Sequence, residues 1–208
     1  FNDVVALESA LRAGDIACVL AEPVMTNIGM VRDASGYLET LRQLCSETGT
    51  LLVFDETHTI SSGYGGHSNT HGPKPDIMVV GKSIGGGVPC AVYGFTAQIS
   101  ARMEALNKAR PAGHSGIGTT LSANALAITA MQAMLGQVIT RQAYVHMLAM
   151  AERLVSGLNA IIEAHSLPWH VSHVGARVEF VCAAHPPHNG TEARAAMDYG
   201  LESSIHLY

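Results

Sequence analysis

Short apolar runs alternate with longer amphipathic segments along the first half of the chain. Three runs, at residues 16–21, 51–54 and 77–80, have the length and composition of strands buried on both faces of a parallel sheet. An amphipathic helix is predicted between the first two, at residues 36–47. Strand, helix and strand in this order form a βαβ unit, so the pattern predicts an α/β fold with a mostly parallel sheet flanked by helices.

Each predicted strand leads directly into a polar residue. Glu22 and Asp55 follow the first two strands, and Gly81-Lys82 follows the third. Because ligands of open α/β sheets bind at the carboxyl ends of the strands, we expect these side chains to share one crevice. Taken singly, each has an ordinary alternative: a solvated lysine, a helix cap or turn for Asp55, and a surface turn for Glu22.

A lysine desolvated in such a crevice would be an amine nucleophile suited to forming an imine with a carbonyl compound. Pyridoxal phosphate needs that amine, and it also needs a carboxylate against its pyridinium nitrogen. Lys82 and Asp55 are predicted to fill these two positions, since a carboxylate pairs strongly with a cationic ring nitrogen.

The second half of the chain carries fewer strand signals and more helical ones. Residues 60–75 are rich in Gly, Ser, His and Pro and are predicted to form a long irregular loop of functional importance. A fourth apolar run follows at 90–93. Helices are predicted at 97–109, 122–135, 140–165 and 191–200, and extended segments at 169–173 and 177–183. The composition changes near Ser166, so we predict a large domain over 1–165 and the start of a small α+β domain over 166–208.

Composition and charge narrow the class of partner. The 208 residues are 48% hydrophobic and 14% charged, as in a soluble globular protein. The net charge of −5 and the lack of a basic run argue against nucleic acid. No apolar run approaches the roughly 20 residues of a membrane span, so no membrane partner is expected. The four scattered cysteines predict buried free thiols in a reducing cytoplasm.

Two further motifs are interpreted as coincidental. Gly81-Lys82-Ser83 ends like a nucleotide-binding P-loop, but Asp76 stands where its first glycine would be. His67 and His71 have a metal-ligand spacing but lie among glycines, without the glutamate of a zinc protease helix. No metal is predicted.

Four segments of the chain resemble a known enzyme family. FDETHTISSGYGG and PDIMVVGKSIGGGVP resemble the cofactor-binding core of the class III aminotransferases, which are fold type I pyridoxal-phosphate enzymes. AEPVMTNIGMV and GTTLSANALA resemble segments of the subgroup that includes glutamate-1-semialdehyde aminomutase and the β-amino-acid transaminases. The resemblance covers about residues 16–135 and implies the large domain of a fold type I transferase.

The resemblance also implies roles for individual residues. Lys82 would hold pyridoxal 5′-phosphate as an internal aldimine, a Schiff base, and would move a proton during the reaction. Asp55 would pair with the ring nitrogen, and Thr57 would pack on one ring face. Asn27 and Glu22 would lie near the ring and its hydroxyl.

Other implied roles involve a second subunit and the substrate. Thr120, with Thr119, would reach the phosphate of the neighbouring subunit's cofactor, which implies a homodimer with the active site at its interface. Arg177 opens the extended segment VGARVEF, where related enzymes bind a substrate carboxylate. The alternative for Arg177 is a solvated arginine on an edge strand.

These expectations lead to a transaminase that moves an amino group from an amino acid or amine to a keto acid or aldehyde. Aminomutases of the family usually carry DEVMTGFR, which DETHTISS does not match, so intramolecular amino transfer is the alternative. A non-catalytic α/β binding protein, in which Lys82 only contacts an anion, is another. Because the chain starts at Phe1 without the family's phosphate loop, we expect a fragment that is inactive alone.

Overall fold

A computed structural model describes residues 1–113, 117–118 and 120–207. Its main sheet has four strands in the order β1-β2-β3-β4. The strands are β1 (Cys18–Ala21), β2 (Leu51–Asp55), β3 (Ile77–Gly81) and β4 (Ala91–Phe95). The first three are parallel, and β4 runs antiparallel to β3. The predicted mostly parallel sheet is therefore confirmed.

Two helices cover one face of this sheet and form the main core with it. Helix α1 (Val4–Arg12) starts at Asp3, whose side chain accepts a hydrogen bond from the Ala6 amide. Helix α2 (Tyr37–Thr48) ends at Gly49, which adopts the left-handed conformation that favours glycine at a helix end. Their apolar faces pack on β2 in one buried cluster: Leu11, Tyr37, Leu38, Leu41, Leu44, Cys45, Leu52 and Phe54.

The segment predicted as a long irregular loop contains regular structure. It holds a 3₁₀ turn (Thr59–Ser62) and the short helix α3 (His67–Thr70). Glu56, which is fully buried, holds both: its carboxylate accepts hydrogen bonds from the backbone amides of His67 (2.6 Å) and Ser68 (2.8 Å) and from the hydroxyls of Thr59 (3.2 Å) and Ser68. The glycine-rich composition did not indicate this regular structure, because the structure depends on hydrogen bonds to a single buried acid.

Long helices follow β4. Helix α4 (Ala97–Lys108) starts at a Thr96 cap, and α5 (Ala125–Ala133) starts at Asn124, later than predicted. A π-helical turn (Met134–Val138) continues α5. Helix α6 (Arg141–Ala164) agrees with the predicted range of 140–165.

Helix α6 is long and apolar enough to cross a membrane by length and composition, and few of its residues are buried. The sequence predicted no membrane span here, because charged residues such as Glu152 interrupt the apolar residues of this helix. One helix that meets these two criteria is weak evidence of a membrane span. Here α6 contacts the rest of the molecule, and the Tyr144 hydroxyl donates a hydrogen bond to the Ile60 carbonyl at 2.6 Å.

A second, two-stranded sheet contains β5 (His170–Val174) and β6 (Arg177–Val181), which pair antiparallel. Two short helices follow, α7 (Gly190–Ala196) and α8 (Tyr199–His206), where one was predicted. The β5–β6 turn contacts the 3₁₀ turn of the first part through the Ala176 amide, which donates to the Ser61 carbonyl at 3.1 Å. This contact brings the start of β6 toward the carboxyl ends of the main strands. The domain boundary at Ser166 stays a prediction.

Candidate active site

Three ionisable side chains meet at one edge of the main sheet. Glu22 follows β1, Asp55 is the last residue of β2, and Lys82 follows β3. Asp55 pairs in register with Val79, shortly before Lys82, so the two residues lie at the carboxyl ends of adjacent parallel strands. The parallel pairing that the apolar runs predicted is what brings these groups together.

His58, which the sequence analysis did not single out, lies between these groups. Its Nε2 atom is 2.5 Å from the Lys82 amine nitrogen. Its Nδ1 atom is in a short hydrogen bond with the hydroxyl of Thr26. That hydroxyl in turn donates to the Glu22 carboxylate at 2.6 Å, and the Thr26 amide contacts the same oxygen at 3.3 Å. A continuous hydrogen-bonded chain therefore runs from Glu22 to Lys82.

The surroundings of His58 favour its neutral form. Burial lowers the pKa of the imidazole below its ordinary value, and the positive charges of Lys82 and Arg177 lower it further. The carboxylates of Glu22 and Asp55 act in the opposite direction but do not reverse the shift. At neutral pH the ring is therefore an uncharged group that can accept a hydrogen bond.

Lys82 itself has an unusual backbone conformation. Its φ of +53° lies in the left-handed region, which costs a side-chain-bearing residue strain energy and is found disproportionately at functional sites. The expectation that the lysine is desolvated is not met in the described residues, where Lys82 is exposed. The crevice is open to solvent on this side. The Lys82 amine is held there by its hydrogen bond to His58.

Thr57 connects Asp55 to the strand that carries Lys82. The Thr57 amide donates to an Asp55 carboxylate oxygen at 2.9 Å, and its hydroxyl accepts from the Gly81 amide at 3.1 Å. The second bond fixes the end of β3 immediately before Lys82. The predicted contact of Thr57 with a cofactor ring stays a prediction.

Asn27 and Arg177 approach the crevice from different parts of the chain. Asn27 is exposed and left-handed, with a φ of +63°. Its side-chain oxygen accepts a hydrogen bond from Arg177 at 3.3 Å. Arg177 also forms an ion pair of 2.5 Å with Glu179 on the same strand. Both residues were predicted to lie at the site, and the structure brings them together. Their roles toward cofactor and substrate stay predictions.

The two threonines assigned to a neighbouring subunit's cofactor are less informative. Thr120 is exposed, far along the chain from the strand ends. Thr119 lies outside the described residues. Among the described residues, no group of three or more His, Cys, Asp or Glu side chains could hold a metal ion, including the surroundings of the stacked rings of His67 and His71.

His58 and Thr26 are the site residues that sequence reasoning missed. The available signal was weak: His58 lies in the DETHT segment, and Thr26 lies in the EPVMTN segment. Their contact joins positions far apart in the sequence, and only the alignment of β1 beside β2 brings the two segments together.

Comparison with known proteins identifies the family. A model of the family described as "Aminotransferase class-III" matches residues 2–203. The chain is 36% identical, over 181 residues, to glutamate-1-semialdehyde 2,1-aminomutase 2 of Bacillus mycoides, covering 86% of this chain and 41% of that protein.

Solved structures agree with this match. A glutamate-1-semialdehyde aminomutase variant of Pseudomonas aeruginosa PAO1, in complex with PMP, has a TM-score of 0.94 and 45% identity, covering 100% of this chain and 47% of that chain. A β-phenylalanine aminotransferase of Variovorax paradoxus has a TM-score of 0.84 and 27% identity, with coverages of 98% and 46%. The chain thus spans about half the length of the relatives it matches. With the family match extending over nearly all of its residues, the chain belongs to the class III aminotransferases, pyridoxal-phosphate-dependent enzymes of fold type I.

Proposed function

We propose that this chain carries the cofactor-binding core of an aminotransferase that binds pyridoxal 5′-phosphate at Lys82 and Asp55. The observation that supports the proposal is the placement of these two residues at the ends of adjacent parallel strands, with His58 in contact with the Lys82 amine. An amine and a carboxylate facing one crevice are the two groups that this cofactor requires of a protein.

The chemistry of the residues present fits the cofactor. Lys82 offers an exposed amine that can reach a carbonyl carbon, and Asp55 offers a half-buried carboxylate for a cationic ring nitrogen. When bound, pyridoxal phosphate supplies an electron sink for breaking bonds at the amino-bearing carbon of a substrate. Lys82 would bind the cofactor covalently and then carry a proton to and from that carbon. Thr57 would contact a ring face, with Glu22 and Asn27 near the ring hydroxyl.

Two parts of the proposal concern groups outside the strand ends. Thr120, with Thr119, would contact the phosphate of a neighbouring subunit's cofactor, so the active site would lie at a homodimer interface. Arg177 would bind a substrate carboxylate through its planar guanidinium. Its contact with Asn27 at the crevice supports this role. Its ion pair with Glu179 would have to share the guanidinium with the substrate.

The reaction we propose moves an amino group between an amino acid or amine and a keto acid or aldehyde. In such a route the amino group stays on the enzyme between two half-reactions. We propose a cytoplasmic location, in which the four cysteines would stay reduced. The prediction that these thiols are buried is wrong for Cys18, which is exposed.

Borohydride trapping tests the assignment of Lys82. The protein is incubated with pyridoxal phosphate and reduced, and its peptides are mapped by mass spectrometry. The chain has only three lysines, Lys74, Lys82 and Lys108, so each can be followed separately. We expect the pyridoxyl mass on Lys82 in preference to the other two, and no comparable label in the Lys82→Gln variant. Equal labelling of all three lysines would overturn the assignment.

Intramolecular amino transfer is the second candidate function. It is favoured by the similarity to proteins named glutamate-1-semialdehyde aminomutases, at 36% and 45% identity. The DETHT segment favours transamination, because it departs from the usual aminomutase pattern. Product analysis with a single amino aldehyde substrate separates the two: an isomer of the substrate indicates a mutase, and release of a carbonyl product that depends on a second amino acceptor indicates a transaminase.

A further inference from the structure

The hydrogen-bonded chain from Glu22 to Lys82 has a direction. Glu22 and Thr26 form its first link, in which the threonine hydroxyl donates its only hydrogen to the carboxylate. The Thr26 oxygen can then only accept from His58, so the imidazole carries its hydrogen on Nδ1. The opposite nitrogen, Nε2, is left with a lone pair facing Lys82.

The protonated lysine requires the same arrangement. An ammonium group has three donors and no acceptor, so His58 Nε2 must accept when Lys82 carries its proton. The difference between the two tautomers appears once the amine has lost that proton. A hydrogen on Nε2 would then donate to the amine lone pair and block it. With the hydrogen on Nδ1, the amine remains a donor and its lone pair stays free.

We propose that Glu22 and Thr26 are positioning residues that fix His58 in the Nδ1-protonated tautomer, so that the Lys82 amine donates to Nε2 and keeps its lone pair available for attack on a carbonyl carbon. The inference rests on the proposed function of Lys82, since it explains how that amine is prepared. It concerns only residues of this chain, so it can be measured without the cofactor.

The burial of Thr26 and His58 supports this role, while the Glu22 side chain is 35% exposed. Thr26 is almost completely buried, so its hydroxyl has few partners other than Glu22 and His58. The His58 side chain is only 15% exposed, which keeps water from competing for its nitrogens. If the same hydroxyl and imidazole were exposed, hydrogen bonds with water would compete to decide which ring nitrogen carries the hydrogen.

Nitrogen NMR of the whole chain labelled in histidine tests the tautomer directly. The chain has eleven histidines, and the signals of His58 are assigned as those missing in His58→Gln. We expect an Nδ1-protonated ring in the unmodified protein and in Thr26→Ser, which keeps the hydroxyl. At a pH high enough to leave the Lys82 amine uncharged, so that an ammonium no longer requires Nε2 to accept, the population should shift toward Nε2 protonation in Thr26→Val, an isosteric change, and in Glu22→Gln. An Nε2-protonated ring in the unmodified protein, or no shift in Thr26→Val, would overturn the proposal.

Competitive labelling with a trace amine-reactive anhydride, without pyridoxal phosphate, measures the consequence for Lys82. Above the pH at which the amine loses its proton, we expect Thr26→Val to lower the labelling rate of Lys82 by about five- to tenfold, the worth of one hydrogen bond. Lys74 and Lys108 serve as internal references and should not change, and Thr26→Ser should restore the rate. An unchanged Lys82 rate in Thr26→Val would contradict the proposal, whatever the outcome of cofactor trapping.

Discussion

Residues 11–84 and residues 91–139 both carry many apolar side chains, but only the first stretch buries them. In the described chain, the largest fully buried side chains all lie in the first stretch: Leu11, Pro23, Val24, Met30, Val31, Leu38, Leu41, Leu52, Phe54, Glu56, Thr59 and Ile84. The second stretch buries only Ile99 and Ala127 among its described apolar residues, and it exposes Leu121 by 76% and Leu126 by 68%.

This difference in burial separates the elements that form the site from the elements that surround it. Strands β1 to β3, the hydrogen bonds of Glu56 and the chain from Glu22 to Lys82 all lie within the first stretch. The second stretch has the outward apolar surface of a segment that packs against something else. This stretch contains the exposed Thr120, which the proposal above assigns to a homodimer interface.

The largest loss of stability is expected when the buried acid of the first stretch is removed. In Glu56→Ala, the amides of His67 and Ser68 lose a charged acceptor, so the free energy of unfolding should fall by about 3–5 kcal/mol. Glu104→Ala, on the exposed face of α4, is the control and should change it by less than about 0.5 kcal/mol. Denaturant unfolding measures both. A Glu56→Ala variant as stable as the control would mean that the loop is not held by this carboxylate.

A matched pair of leucines tests the contrast in burial. Leu41→Ala removes a side chain that is fully buried and should cost about 2–5 kcal/mol, including the cavity it leaves. Leu126→Ala, at 68% exposure, should cost less than about 0.5 kcal/mol in the monomeric chain. The melting temperatures and denaturant midpoints of the two variants report the difference. Equal losses would show that Leu126 is already packed in solution, and sedimentation would then identify a partner copy.

The hydrogen bond between Thr57 and Gly81 allows a single contact within the first stretch to be tested. Thr57→Val leaves the amide of the buried Gly81 without its acceptor, so we expect a loss of about 1–2 kcal/mol. Thr57→Ser keeps the hydroxyl and should retain most of the stability. Amide hydrogen exchange at Gly81 should accelerate in the valine variant only. If both variants exchange alike, the hydroxyl does not fix the end of β3.

The smallest effect expected is a dependence of stability on pH. Burial lowers the pKa of His58 and of His67 in the folded chain, so the unfolded chain binds more protons between those values and about 6.5. The free energy of unfolding should therefore decrease as the pH falls below about 6.5, and it should be nearly constant above it. His67→Gln should flatten this dependence, and His165→Gln, at an exposed position, should not. A stability that rises on acidification would contradict the assignment.

The sequence predicted the parts of the site that follow from local pattern. Short apolar runs predicted β1, β2 and β3, and the polar residues at their ends predicted Glu22, Asp55 and Lys82, since parallel strands end at one edge. The prediction that all three strands are buried on both faces is wrong for β1, where Leu20 is 68% exposed. The loop after β2 and the partner of Lys82 were not predictable in this way.

Those parts depend on contacts between distant segments. Glu56 looked like an ordinary turn acid, because its partners lie beyond a glycine-rich segment whose order it creates. His58 looked like one of eleven histidines until Thr26 was placed beside it. The exposure of Lys82 was not predicted either, because the apolar run before it does not indicate which residues cover the crevice.

The left-handed backbone of Lys82 has a consequence for how this family could diverge. Glycine and, less readily, asparagine or aspartate adopt that conformation at low cost, so a lysine at this turn stands against a steric preference for other residues. A descendant that no longer needed the amine would gain stability by replacing it. Glycine or asparagine at this turn, beside an intact Asp55, would therefore mark a lineage that kept the fold and abandoned the chemistry.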